Sequence, residues 1–185
     1  CPLKGIANND PKRKEAINRT CYVNFQTVKT IYRSYKKGNY PKIDPVDASK
    51  MIKYNKIWCN RGLRFGAYGD PALIPTHVTN GLRSHLPKSM GITAYSHQAN
   101  YKHANIDPCF MLSCETLDQA KTQWDQGNRT ARTIKSVDEL QENEMFCPAT
   151  DQGGSRLQCF QCNLCNAERN KKNIAWLPHG KQHAI

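Results

Sequence analysis

The chain has 185 residues, a mass of 21.1 kDa, a formal charge of +12 and nine cysteines. With 38% hydrophobic residues and a mean hydropathy of -0.73 it is polar, yet long enough to bury a core. No apolar run approaches the roughly 20 residues that span a bilayer, so a membrane protein is excluded, as are a collagen, a coiled coil and a repeat array. The opening Cys1-Pro2-Leu3-Lys4 has neither a Met nor the apolar region of a signal peptide, and reads as a start inside a longer chain or after processing.

In chain order, Leu63 to Tyr68 reads as a buried strand ending at Gly69-Asp70-Pro71. Pro75 to Leu86 carries Val78, Leu82 and Leu86 at helical spacing, with Pro87 as the stop. Gly91 to His97 and Cys109 to Cys114 are the second and third strands, and a helix from Thr116 to Gln126 is ended by Gly127. Thr130 to Lys135 is the fourth strand, after which Ser136-Val137-Asp138-Glu139 has the spacing of a capping box. Met145 to Cys147 and Asn173 to Leu177 are the fifth and sixth, flanking a cysteine knuckle. Residues 1–62 then form a basic, cysteine-containing segment, 63–146 a βα-repeat core, and 147–185 the knuckle and last strand.

Strands and helices that alternate over short connections predict an α/β fold with a parallel sheet. Six strands in this length suggest a partial (β/α)6-type barrel or a curved open sheet. The right-handed crossover rule puts the strand carboxyl ends on one rim, where such folds build ligand sites. That rim collects Gly69, Asp70, His97, Gln98, Ser113, Glu115, Ser136, Thr150 and His179.

The charge sits in the amino-terminal third. Residues 1–64 hold 15 Lys or Arg against four acidic residues, a net +11, and the rest of the chain is close to neutral. Tyr22, Tyr32, Tyr35, Tyr40 and Tyr54 lie among these cations. Such a segment attracts phosphate backbones and offers stacking faces to unpaired bases, so nucleic acid or another polyanion is the expected partner; a merely solvated arm is the plainer alternative.

Cys159, Cys162 and Cys165 fall within seven residues, and Cys147 lies twelve positions before Cys159. Thiols this close are strained as mutual disulfides, but a turn aims them at one point, as a zinc ion or an iron–sulfur cluster requires. The spacing leaves that choice open. Cysteines in this arrangement point to a reducing, cytoplasmic compartment. Cys21, Cys59, Cys109 and Cys114 are also readable as ordinary buried thiols.

The opening Cys1-Pro2-Leu3, then Cys21-Tyr22, a helix-like stretch and a strand ending Tyr68-Gly69-Asp70-Pro71 resembles the start of radical S-adenosylmethionine proteins. The likeness is greatest to phage-borne members that pair a CP…CY opening with a GD-containing strand and a carboxyl-terminal cysteine group. It implies a partial barrel, a second iron–sulfur cluster with ligands at Cys1 and Cys21, and S-adenosylmethionine held by Gly69, Asp70, His97, Ser113 and Glu115. It also implies a virus-encoded protein in a host cell. The superfamily's three cysteines stand in C-x3-C-x2-C, whereas nineteen residues separate Cys1 from Cys21 here; the third ligand is Cys59, lies upstream, or is absent.

No P-loop, dinucleotide-binding glycine turn or H-E-x-x-H helix is present. Three functions follow as expectations: a radical S-adenosylmethionine-type metalloenzyme of unknown substrate, a non-catalytic zinc-stabilised nucleic-acid-binding protein, and a viral structural or assembly protein.

Overall fold

In the computed structural model, residues 25–58, 61–99, 104–150, 153–155, 157–166 and 171–177 are described. The chain divides into two units, Cys1–Lys42 and Ile43–Ile185. The described part of the first contains α1 (Phe25–Lys36), which has no acidic residue in its first turn and Arg33 and Lys36 in its last, as the helix dipole favours.

The second unit opens with α2 (Pro45–Tyr54). Asp44 caps it by accepting from the Val46 N–H at 2.8 Å, and Pro45 supplies a preset φ at the first position. Helix α2 packs on α3 (Thr76–Arg83), where Gly81 admits the Pro45 ring: a β-carbon there would stand 2.6 Å from the proline Cβ. The buried Ser49 hydroxyl accepts from the His85 N–H at 3.0 Å and fastens the far end of α3.

All strand pairings are parallel. β1 (Leu63–Arg64) pairs with β2 (Ile92–Thr93), and β3 (Tyr95–Ser96), β4 (Met111–Cys114), β5 (Thr130–Thr133), β6 (Glu144–Phe146) and β7 (Asn173–Trp176) form a second sheet in the order β3-β4-β5-β7-β6. The fold is thus α/β with parallel sheets that do not close into a barrel. The expected strand from Gly91 to His97 is split at Ala94 because its halves have different partners, β1 first and β4 second. The expected first strand stops early. Gly66 takes φ +73° and lies so close to Pro71 that a β-carbon would meet its Cδ at 2.6 Å, so the chain turns where a strand to Tyr68 was predicted.

Helix α4 (Leu117–Asp125) forms inside the span predicted from Thr116 to Gln126, with a capping box at Thr116 that the spacing did not single out. The Thr116 hydroxyl accepts from the Gln119 N–H at 3.2 Å while the Gln119 side chain accepts from the Thr116 N–H, and Gly127 closes the other end at φ +76°. Thr116→Ala should lower stability by about 1 kcal/mol in urea titration with an unchanged m-value. The box expected at Ser136 does not form. Ser136 makes no side-chain cap, and Glu139 accepts instead from the Lys135 N–H at 3.3 Å, leaving only the short 3-10 turn Val137–Glu139.

Alternation along the strands separates two faces. One bears Tyr95, Met111, Ala131, Met145, Ile174 and Trp176, which pack with Leu164 and Cys165 of the knuckle. The opposite face meets α4 and carries a buried ion pair, Arg132 to Glu144, with Nε to Oε1 at 2.8 Å. A further cluster of Phe65, Ile92, Ala94, Cys109 and Phe110 closes the β1–β2 end, and its two phenylalanine rings are 6.1 Å apart. Among the described residues no helix is long and apolar enough to cross a membrane.

Candidate metal centre

Cys147 follows directly on β6, and its N–H donates to the Ala175 carbonyl at 2.8 Å, continuing the ladder by one residue. The chain then turns back on itself. The Cys147 carbonyl accepts from both the Thr150 N–H, at 3.1 Å, and the Thr150 hydroxyl, at 2.7 Å. After this turn, α5 (Cys159–Cys162) is a single helical turn that puts two cysteines three positions apart, on one side. Asn163 ends it in the left-handed region at φ 55° and returns Leu164 and Cys165 to the sheet. Only glycine fits opposite: a β-carbon on Gly91 would overlap the Asn163 side chain.

Cys147, Cys159, Cys162 and Cys165 thereby line one cavity of about 10 Å³, together with Thr93, Pro148, Ala149, Leu164 and Ile174. All six cysteines among the described residues are free thiols. The four sulfurs are close enough to feel one another's charge. Burial pushes the Cys165 thiol up to about 11, with Cys147, Cys159 and Cys162 adding to the rise, and burial likewise raises Cys147. Among the described residues, no group of three or more His, Cys, Asp or Glu side chains is already gathered at metal-binding distances.

Two residues that spacing did not single out hold the knuckle in place. Arg129, just before β5, donates to the carbonyls of Leu164 at 2.9 Å, Asn166 at 3.1 Å and Lys172 at 2.8 Å. Its guanidinium ties both ends of the returning loop to the sheet. The Tyr95 hydroxyl lies beside the Cys165 thiol, while its ring meets Trp176 edge-on at 5.8 Å and lies 5.9 Å from the Arg64 guanidinium carbon. Burial, then the adjacent Cys165, hold that hydroxyl protonated well above its ordinary range.

The remaining predicted site residues are placed as follows. Cys1, Cys21, Cys59 and His179 lie outside the described residues. Asp70 and His97 come together: one Asp70 oxygen accepts from the Ala72 N–H at 3.0 Å and the Ser96 hydroxyl at 2.7 Å, the other from the His97 N–H at 2.8 Å. Asp70 therefore ties the loop leaving β1 to the end of β3 and caps the 3-10 turn Pro71–Leu73. Gly69, at φ +144°, is exposed beside it, as is the His97 side chain. Ser113 is half-buried in β4, on the face shared with Met111, and the exposed Glu115 follows at the strand's end. Asp107 is buried and accepts from the Arg83 guanidinium at 2.7 Å and the Cys109 N–H at 3.0 Å. Burial alone would raise its pKa, but these bonds outweigh it and hold the carboxyl below its ordinary range. Cys109 and Cys114 are buried away from the cavity; burial first, then Asp107, pushes Cys109 up to about 12.

No protein-family model matches the chain, and no curated protein or solved structure is significantly similar to it.

Proposed function

We propose that Cys147, Cys159, Cys162 and Cys165 bind a single zinc ion and that this ion fastens the carboxyl-terminal segment to the parallel sheet as a structural centre. The observation that carries this reading is four free thiols around one small cavity. A lone ion asks for no more room than this small cavity has. The donor set also fits, since four thiolates complete a tetrahedral zinc site. The ion would draw the sulfurs inward to about 2.3 Å each and replace their mutual repulsion by a shared divalent charge. Elemental analysis of purified protein should give one zinc per chain; protein without zinc overturns the reading.

The thiol positions also set a pH dependence. Cys165 and Cys147, pushed above the ordinary thiol range, are protonated at neutral pH without metal, so zinc binding must release their protons. Affinity should fall as pH falls, by about tenfold per pH unit for each thiol that binds as thiolate. Competition with a chromogenic chelator between about pH 6 and 7.5 should show at least a hundredfold change per unit. A flat profile contradicts four-thiolate ligation.

A second reading concerns the sheet. Tyr95 on β3 and Trp176 on β7 touch across two intervening strands, where the same face carries Ser113 and Ala131, and this favours a curved, partial-barrel sheet. With the resemblance to radical S-adenosylmethionine proteins, it supports a second cluster at Cys1 and Cys21 and the cofactor at Gly69, Asp70, His97, Ser113 and Glu115. An incoming amine would then share Asp70 with Ser96 and His97. About four irons per chain and a brown colour after anaerobic purification support this reading; zinc alone removes it.

A further inference from the structure

We infer that the exposed face of α1 binds single-stranded nucleic acid, with Tyr32 stacking on a base and Lys29, Arg33 and Lys36 neutralising phosphates. This surface belongs to the first unit, and the inference does not rest on the metal centre. Positions 29, 32, 33 and 36 follow the i, i+3, i+4, i+7 pattern of one helix face, and all four are exposed. Thr27, Val28, Ile31 and Ser34, on the other side of the helix, are half-buried. The helix contains no acidic residue to neutralise the three cations.

A solubilising face accounts for the charge but not for what lies between the charges. Tyr32 is 57% exposed and Tyr35 58%, with ring centroids 6.5 Å apart, and Lys36 Nζ stands 5.6 Å from the Tyr32 ring. The helix dipole accounts for Arg33 and Lys36 in the last turn but not for Lys29 one turn earlier. Bare aromatic rings set among cations are the arrangement that holds unpaired bases: the ring stacks on any base, and the cations track the backbone. From Lys29 to Lys36 the helix rises about 10 Å, the span of a few nucleotides at most. A duplex would offer the phosphates but keep its bases stacked away from Tyr32.

The test is fluorescence anisotropy of the full chain with labelled oligothymidine and, separately, a duplex of equal length. Oligothymidine should bind with an affinity that falls on raising salt from about 50 to 200 mM. Tyr32→Leu, which keeps the helix and all charges, should weaken it at least about fivefold without changing the salt slope. Arg33→Gln should weaken it and flatten the slope by about 0.7. Circular dichroism confirms that both variants keep their helix content. Absence of saturable binding at about 50 mM salt, or equal affinity for Tyr32→Leu, overturns the inference. So does a duplex bound as tightly as the single strand, which would mark the face as a general polyanion site.

Discussion

Cys165→Ser should abolish zinc binding and lower stability by about 3 kcal/mol or more, because ligand capture and the folding of residues 147–166 are one process. Cys165 is the cysteine of the four that is buried, and it packs with Met111, Ala131 and Ile174, so its sulfur joins the cavity to the core. Elemental analysis and urea titration read the two effects separately. Cys114→Ser is the matched control: that thiol is buried too, but lies outside the cavity and contacts the Leu112 carbonyl at 3.7 Å. It should keep its zinc and lose only about 1–2 kcal/mol. Full zinc and an unchanged urea midpoint in Cys165→Ser would end the structural-zinc reading.

Glu144→Ala should be nearly as damaging, by about 3–5 kcal/mol, for an electrostatic reason. Arg132 is 3% exposed, and its guanidinium is held by the Glu144 carboxylate and by the Glu139 carbonyl at 2.8 Å. Those bonds, with the adjacent carboxylates, hold the Arg132 pKa above its ordinary value. Truncating Glu144 leaves that buried charge with only the more distant, half-exposed Glu139 carboxylate, 3.9 Å away, and frees the Gln141 N–H that also donates to Glu144, at 3.0 Å. The double variant Arg132→Met, Glu144→Leu should recover most of the loss, because removing both charges leaves none unpaired. If Glu144→Ala alone moves the urea midpoint by less than about 1 kcal/mol, the pair is not buried in solution as it is here.

The parts legible in the sequence were those written in local chemistry. Helix α4 shows its period and its terminal glycine within a dozen residues, and β4 is a short, largely apolar run bounded by turns. The knuckle is legible because turn geometry alone brings Cys159 and Cys162 to one side. What escaped depends on distant partners. Arg129 is one arginine in an unremarkable Asn-Arg-Thr stretch until the carbonyls of residues 35 to 43 positions later fold over it. Tyr95 is one residue of a predicted strand, and only the return of Cys165 sets a thiol beside its hydroxyl. The Ser136 box failed because Glu139 reached one residue too far back, to Lys135. The strand order escaped too, since nothing local says that β7 enters between β5 and β6.

That insertion has a kinetic consequence. β6 and β7 are adjacent, parallel and consecutive in the chain, so the 26 residues from 147 to 172 must carry the chain from one end of the sheet back to the other. Such a return is ordinarily made by a crossover helix whose apolar stripe docks on the sheet and offsets the entropy of closing the loop. Here the described part of the return holds one helical turn, and it packs on the sheet's core cluster only through Cys147, Leu164 and Cys165. β6, which pairs with β7 alone, has no hydrogen-bonded neighbour until the later strand arrives. A cation captured by Cys147 and the α5 cysteines would shorten the unclosed loop before β7 docks, doing for the search what a crossover helix does by burial. Refolding of the second sheet should therefore be faster with zinc present at the start than with zinc added after collapse.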